Sequence, residues 1–188
     1  MTAKTPFMQQ IDKAVGALRA GGVIAYPTEY CFGLGCDPRN HLAVERLLKI
    51  KQRKKEQGLI LIAANLEQIN AYADIDSLAR SKEVKRSWPG PNTWLLPVED
   101  SVSTWVRGTH STLAMRLSAH VVCQALCDSF GHAIVSTSAN RHGQDALLLA
   151  DDVRDQFADE LDYIVDLKVG GADHASTIRD ATSGQQLR

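Results

Sequence analysis

The chain has 188 residues, 44% of them hydrophobic and 23% charged, with a formal net charge of −1. That length suits one elaborated domain, residues 1–188, which can bury a core without disulfide or metal staples; the composition excludes disorder, collagen-like repeats and a long coiled coil. No apolar run approaches the ~18–20 residues that cross a bilayer, and residues 1–10 have no apolar core of a secretory signal, so the expectation is a soluble, cytoplasmic protein without a membrane partner.

Along the chain, Met8, Ile11, Val15 and Leu18 recur at helical spacing and Gly21-Gly22 ends that helix. Val23 to Tyr26 reads as a buried strand, and Pro27 to Arg39 as a loop. Asn40 can cap a second helix carrying Leu42, Val44, Leu47, Leu48 and Ile50. Leu59 to Ala63 has the continuous apolar pattern of a fully buried strand. Helical stretches at Leu66–Tyr72 and Ser77–Trp88 precede Pro89-Gly90-Pro91. Strands are expected at Thr93–Leu96, Leu113–Leu117, Ala133–Ser136 and Tyr163–Asp166, and helices at Val121–Phe130 and Asp151–Phe157. Residues 180–188 read as a small terminal strand or tail. This alternation predicts an α/β fold, a single twisted mixed sheet flanked by helices, with neither repeat nor linker.

The charge is uneven. Residues 1–98 hold fourteen Lys/Arg against nine Asp/Glu, and residues 99–188 hold seven against thirteen. Lys49, Lys51, Arg53, Lys54 and Lys55 form a dense basic cluster that attracts phosphate; its bland reading is a solvated helix end. The acids between Asp145 and Asp166 read as a solvated surface. Cys31, Cys36, Cys123 and Cys127 lack common zinc spacing, and Cys123 and Cys127, four apart on a helix, are expected to pack inward.

No Walker-type phosphate loop, Rossmann fingerprint, serine nucleophile elbow or zinc-protease helix is present. What remains is rich in hydroxyls, glycines and cations. Tyr26-Pro27-Thr28-Glu29-Tyr30-Cys31-Phe32-Gly33-Leu34-Gly35-Cys36-Asp37 follows a strand, the usual place for a ligand in an α/β sheet. Lys51-Gln52-Arg53 can grip a polyphosphate with a point charge and a planar fork. Ser136-Thr137-Ser138-Ala139-Asn140 ends a strand with three hydroxyls and an amide, suited to phosphate or to an amino-acid headgroup; an ordinary hydroxyl-rich turn would read the same. In Thr112-Leu113-Ala114-Met115-Arg116, alternation puts Thr112, Ala114 and Arg116 on one side; a surface ion pair is the plain alternative for Arg116.

Together with Trp88-Pro89-Gly90-Pro91 and Ser176-Thr177-Ile178-Arg179-Asp180-Ala181-Thr182-Ser183-Gly184, these segments in this order resemble the YrdC-like family, and closely its short bacterial members, the threonylcarbamoyl-AMP synthases. The resemblance implies an α/β fold with a central, positively charged cleft. It implies condensation of L-threonine, bicarbonate and ATP into threonylcarbamoyl-adenylate with release of pyrophosphate, for t6A at position 37 of tRNA. ATP with Mg²⁺ would enter as substrate, with no tightly bound cofactor and no protein metal site. The partners implied are downstream tRNA threonylcarbamoyl-transfer proteins, with tRNA or double-stranded RNA as a further contact.

By that resemblance Lys51 and Arg53 would be catalytic and hold the ATP phosphates, with Thr112 and Ser138 assisting and Asn140 bordering the nucleotide. Arg116 would pair with the threonine carboxylate and Ser136 with the same headgroup, while Thr28 and Tyr30 would line the threonine pocket. Ser176 and Arg179 would approach the nucleotide. The chain departs from the family pattern at Lys54, where Pro is usual, at Arg141-His142, at Ala146 and at Asn92. Two rival readings use the same residues: a non-catalytic double-stranded RNA-binding or ribosome maturation factor drawing on the basic cluster and Trp88, Trp94 and Trp105, and a Ser-Lys amidohydrolase with Lys51 as base.

Overall fold

Thr5 caps the first helix by accepting from the Met8 amide, and Pro6 occupies the first helical turn where its missing N–H costs nothing. In the computed structural model, which describes residues 4–141 and 143–188, this is α1 (Pro6–Arg19). There follow β1 (Ile24–Pro27), β2 (Phe32–Gly35), α2 (His41–Ile50), β3 (Ile60–Ala63), α3 (Leu66–Asn70), α4 (Ser81–Arg86) and β4 (Asn92–Pro97). The second half adds α5 (Thr104–Arg107), β5 (Thr112–Leu117), α6 (Val121–Phe130), β6 (Ile134–Ser138), α7 (Ala150–Phe157), β7 (Tyr163–Ile164) and β8 (Thr177–Asp180).

The strands form one mixed sheet in the order β7-β1-β2-β6-β3-β5-β4-β8. Pairing is parallel between β1 and β7, β3 and β5, and β4 and β8, and antiparallel elsewhere. Because side chains alternate across a strand, register decides which residues share a face. On one face Ala25, Phe32, Leu34, Leu61, Leu113, Met115, Trp94 and Val135 pack against residues of α2, α3, α4, α5 and α7 in the larger core. On the other face Ile24, Tyr26, Ile62 and Ile134 lie under α1 and α6, which supply Ile11, Val15, Leu18, Val122, Leu126 and both Cys123 and Cys127.

Those two helices cover only part of their face. The row Ile134–Ile62–Arg116 is set by register, and the next row toward the open end is Ser136–Ile60–Ala114–Leu95. That second row belongs to neither core cluster and forms the floor of a cleft. The cleft is therefore the half of a sheet face that no helix covers.

Several sequence expectations need correction. The segment from Pro27 to Arg39 contains strand β2. Phe32 and Leu34 point into the larger core, while Gly33 and Gly35 face the other way, and a Cβ on Gly35 would lie 2.3 Å from the Val135 carbonyl oxygen. Leu42 is 64% exposed: the buried stripe of α2 runs through Ala43, Val44, Leu47 and Leu48, and Leu42 falls on the opposite side with Glu45 and Lys49. The helix expected from Ser77 starts only at Ser81, because Asp74 Oδ1 accepts from the Asp76 and Ser77 amides and holds that segment as a turn. Helix α5, capped by Ser103, was not expected. The last strand starts at Thr177, before the tail, and the chain then turns back so that Gln186 bridges Arg179.

Candidate active site

The cleft has a volume of about 440 Å³. Its floor is the row just described, and its inner end is Arg116, whose register partner Ile62 lies beneath α1 and α6. Thr28, Tyr30 and Cys31, from the turn between β1 and β2, form one wall. Arg53, Gln57, Gly58 and Leu59 with Val106, Arg107 and His110 form another; Ala175, Ser176, Ile178, Leu187 and Arg188 close the third side. Of the residues expected from sequence, Thr28, Tyr30, Arg53, Thr112, Arg116, Ser136, Ser138 and Ser176 all line this one cavity.

Lys51 sits behind that wall. It is the C-cap of α2 and only 9% exposed. Its ammonium donates to the Ser138 carbonyl at 2.7 Å, to Asn140 Oδ1 at 2.9 Å and to the Asn140 carbonyl. Asn140 Oδ1 also accepts from Ser138 Oγ at 2.7 Å, and its amide nitrogen donates to the Gln144 and Arg141 carbonyls. Lys51 thus clamps the turn that presents Ser138. Burial, with Arg53 and Arg141 nearby, pulls its pKa down to about 8.

Between Lys51 and Arg53 the chain reverses through Gln52, whose φ of 49° is the left-handed conformation that usually ends a helix at glycine. The Arg53 amide bonds back to the Leu48 carbonyl, and the Gln52 amide to Lys49. This turn sends Lys51 inward and Arg53 into the cleft. The Arg53 guanidinium donates to the Gly58 carbonyl at 3.1 Å, which fixes its stem beside the cavity. The adjoining wall is tight. A Cβ on Gly108, which has φ 66°, would lie 2.4 Å from the Glu56 carbonyl oxygen.

Arg116 is 7% exposed and pairs with Glu29 at 3.3 Å, so its ion pair is buried, not at the surface. Its Nε has no partner among the described residues. Thr28 Oγ1 donates to the Cys31 carbonyl at 2.7 Å and closes the turn that carries Tyr30. Ser176 Oγ lies 2.9 Å from Thr93 Oγ1, and its carbonyl accepts twice from the Arg188 guanidinium.

Three expected site residues stand apart from the cavity lining: Lys51, already described, Asn140 and Arg179. Asn140 acts from behind, as described. Arg179 alternates to the far face of β8, where its guanidinium lies over the Trp94 ring and 3.6 Å from Glu83; Ile178 and Ser176 take the cleft side. Arg107, His110 and Arg188 line the cleft and were not singled out by sequence. No local pattern marks them, since α5 and the returning tail reach the cleft only through the tertiary fold. Glu29, quoted in its motif without a role, underpins Arg116.

The departures from the family pattern have structural partners. Arg141 donates to the Ile50 and Gln156 carbonyls, pairs with Glu160 and covers the Phe157 ring, so it ties α2 to α7 away from the cleft. Asn92 donates to the Ser87 carbonyl and accepts from Thr177 Oγ1, joining the Pro-Gly-Pro turn to β8. Lys54 is exposed and Ala146 partly so. His142 lies outside the described residues.

The rival readings lose part of their support, although Lys49 and Lys54 of the basic cluster are exposed. Trp94 is fully buried and Trp88 nearly so, with both indole N–H groups bonded internally, while Trp105 lies under Lys55. Lys51 Nζ bonds no serine hydroxyl, and the Ser138 hydroxyl faces Asn140. The cleft lining includes four arginines and no carboxylate, and no group of three metal-ligating side chains occurs among the described residues. Four cationic side chains without a carboxylate make this lining suited to an anion. The four cysteines are free and buried, and burial pushes the Cys31 thiol up to about 11.

The chain is an α/β protein whose eight-stranded mixed sheet leaves part of one face open, walled by arginines and hydroxyls. The Sua5/YciO/YrdC family model, described as "Telomere recombination", matches residues 16–188, and the chain belongs to this family. Within it, the chain is 47% identical over 180 residues to a Xanthomonas axonopodis pv. citri protein named threonylcarbamoyl-AMP synthase, covering 95% of this chain and 96% of that one. A Vibrio campbellii protein of the same name is 43% identical, with 96% and 99% covered. Among solved structures, P. abyssi Sua5 complexed with L-threonine superposes with a TM-score of 0.88 at 30% identity, over 99% of this chain and 55% of that one. E. coli YciO gives 0.83 at 26% identity, over 98% and 89%. The chain spans about half the length of Sua5. No helix among the described residues is long and apolar enough to cross a membrane.

Proposed function

We propose that the chain, as one YrdC-like domain over residues 1–188, is a threonylcarbamoyl-AMP synthase: it joins L-threonine, bicarbonate and ATP into L-threonylcarbamoyl-adenylate and pyrophosphate, in the cytoplasm, for t6A37 formation on tRNA by downstream transfer proteins. The observation that carries this is a single cavity lined by a buried arginine, Arg116, together with Arg53 and Ser138. Near-full-length relatives bearing that name support it.

In this reading the threonine carboxylate meets Arg116, whose unpartnered Nε is a donor for it, with Ser136, Thr28 and Tyr30 around the headgroup. Arg53 and Thr112 meet the ATP phosphates, and Ser138, held by Asn140 and Lys51, adds a hydroxyl. Ser176 and Arg188 border the nucleotide from the third wall. The threonine nitrogen and bicarbonate form a carbamate with loss of water. A carbamate oxygen then attacks the α-phosphorus, and the bond to the β-phosphate breaks, releasing pyrophosphate. Alignment and charge neutralisation carry this step, and no protein base is assigned. Mg²⁺ travels with ATP.

Pyrophosphate release by the purified protein with MgATP, adding and omitting L-threonine and bicarbonate, tests the reading. Release that requires both is the expected result. Release independent of threonine, or none, would overturn it.

A further inference from the structure

Glu29 stands outside the cavity lining, yet it makes the one ion pair of Arg116 among the described residues. Its two carboxylate oxygens have different tasks. Oε1 accepts from Ser118 Oγ at 2.8 Å and from the Ala119 amide at 3.0 Å, while Oε2 faces Arg116 Nη1 at 3.3 Å. Two bonds on one oxygen stop the carboxylate from rotating, so the other oxygen is held at a set place. Burial alone would raise the Glu29 pKa; Arg116 and the Ser118 and Ala119 donors outweigh it and hold the group ionised. The Glu29 backbone is fixed too, since its carbonyl accepts from the Ala172 amide and the Thr28 carbonyl from Gly170.

We propose that Glu29 is the positioning residue for Arg116, and through it determines how the amino-acid carboxylate is bound. A guanidinium whose Nη1 is held 3.3 Å from a fixed carboxylate oxygen is biased to one orientation, with its other N–H groups left for a ligand. An unpaired buried arginine would instead turn toward whatever acceptor it could reach. Glu29 thus acts on the ligand only through Arg116. This inference rests on the synthase reading.

The test compares wild type with Glu29→Gln, Glu29→Asp and Ser118→Ala, measuring KM for L-threonine and for ATP separately by pyrophosphate release, with threonine binding by calorimetry. Glu29→Gln keeps the shape and the acceptor toward Ser118 but removes the charge opposite Arg116. Its KM for threonine should rise about tenfold or more while KM for ATP stays within about twofold. Glu29→Asp should recover part of the loss, and Ser118→Ala should give a smaller rise in the same direction. Should Glu29→Gln not fold, Ser118→Ala and Glu29→Asp decide the matter by the same split. Unchanged threonine KM in folded variants, or equal increases in both KM values, would overturn the role of Glu29 while leaving the synthase reading intact. A wild type without threonine-dependent release would remove that reading and this inference with it.

Discussion

The ammonium of Lys51 and the side-chain amide of Asn140 are joined at 2.9 Å, and the same Asn140 oxygen accepts from the Ser138 hydroxyl. A cation from the end of α2 therefore sets the turn after β6, and the two segments most suggestive of phosphate binding are one mechanical unit. Lys51 and Arg53 differ in kind: the first holds the frame and the second faces the ligand space.

That difference predicts a split between two alanine variants. Lys51→Ala leaves three acceptors without their donor, at a cost to stability of about 1–3 kcal/mol, and pyrophosphate release should fall steeply with it. Arg53→Ala should also abolish most turnover, but with a stability change below about 1 kcal/mol, since it leaves only the Gly58 and Gln57 carbonyls at the cleft edge. Thermal melts beside turnover measurements check this; equal destabilisation by both variants would contradict the division of roles.

The Lys51 pKa, lowered to about 8 from an ordinary 10.5, predicts a basic limb in activity. Above pH 8 the clamp loses its charge, so kcat/KM for ATP should decline with an apparent pKa near 8. Stability moves the other way. Between about 8 and 10.5 the unfolded chain binds this proton more fully than the folded one, so the Lys51 contribution to stability rises with pH across that window. Lys51→Arg should move the activity limb to higher pH, and a profile flat through pH 9 in wild type would contradict the assignment.

Gly35→Ala places a methyl group where the Val135 carbonyl and the Tyr26 ring already stand. The expected loss is about 1–3 kcal/mol or more, read by urea denaturation. Because β6 must shift, Ser136 and Ser138 shift too, and turnover should fall at temperatures where the variant is still folded.

Gln52→Gly relieves a left-handed residue at an exposed position. A gain of up to about 1 kcal/mol is expected, a rise of about 2–4 °C in Tm for a chain of this size. A fall in Tm would mean that the Gln52 side chain makes a contact of its own.

The fold class, most elements and one side of β5 were legible in the sequence because they depend on local rules, while the roles of the cleft residues came from the family resemblance. Alternation placed Thr112, Ala114 and Arg116 on one side of β5, the helical stripe marked α1 and α6, and Asn40 marked the start of α2. The glycines of β2 misled, because a strand with no side chains on one face looks like a loop until the Tyr26 ring that fills the space is known.

What only the tertiary structure decided was direction and company. Which way Lys51 and Arg53 point depends on one left-handed residue and on acceptors roughly ninety positions away in the chain, a relation that no local pattern encodes. The partner of Arg116, the arrival of Arg107 and Arg188 at the cleft and the loss of Arg179 from it follow from strand register and from the turn back of the tail. Sequence periodicity determines which face of an element is apolar, while the position of a charge in space is set by long-range packing, where a buried ion must find its counter-charge.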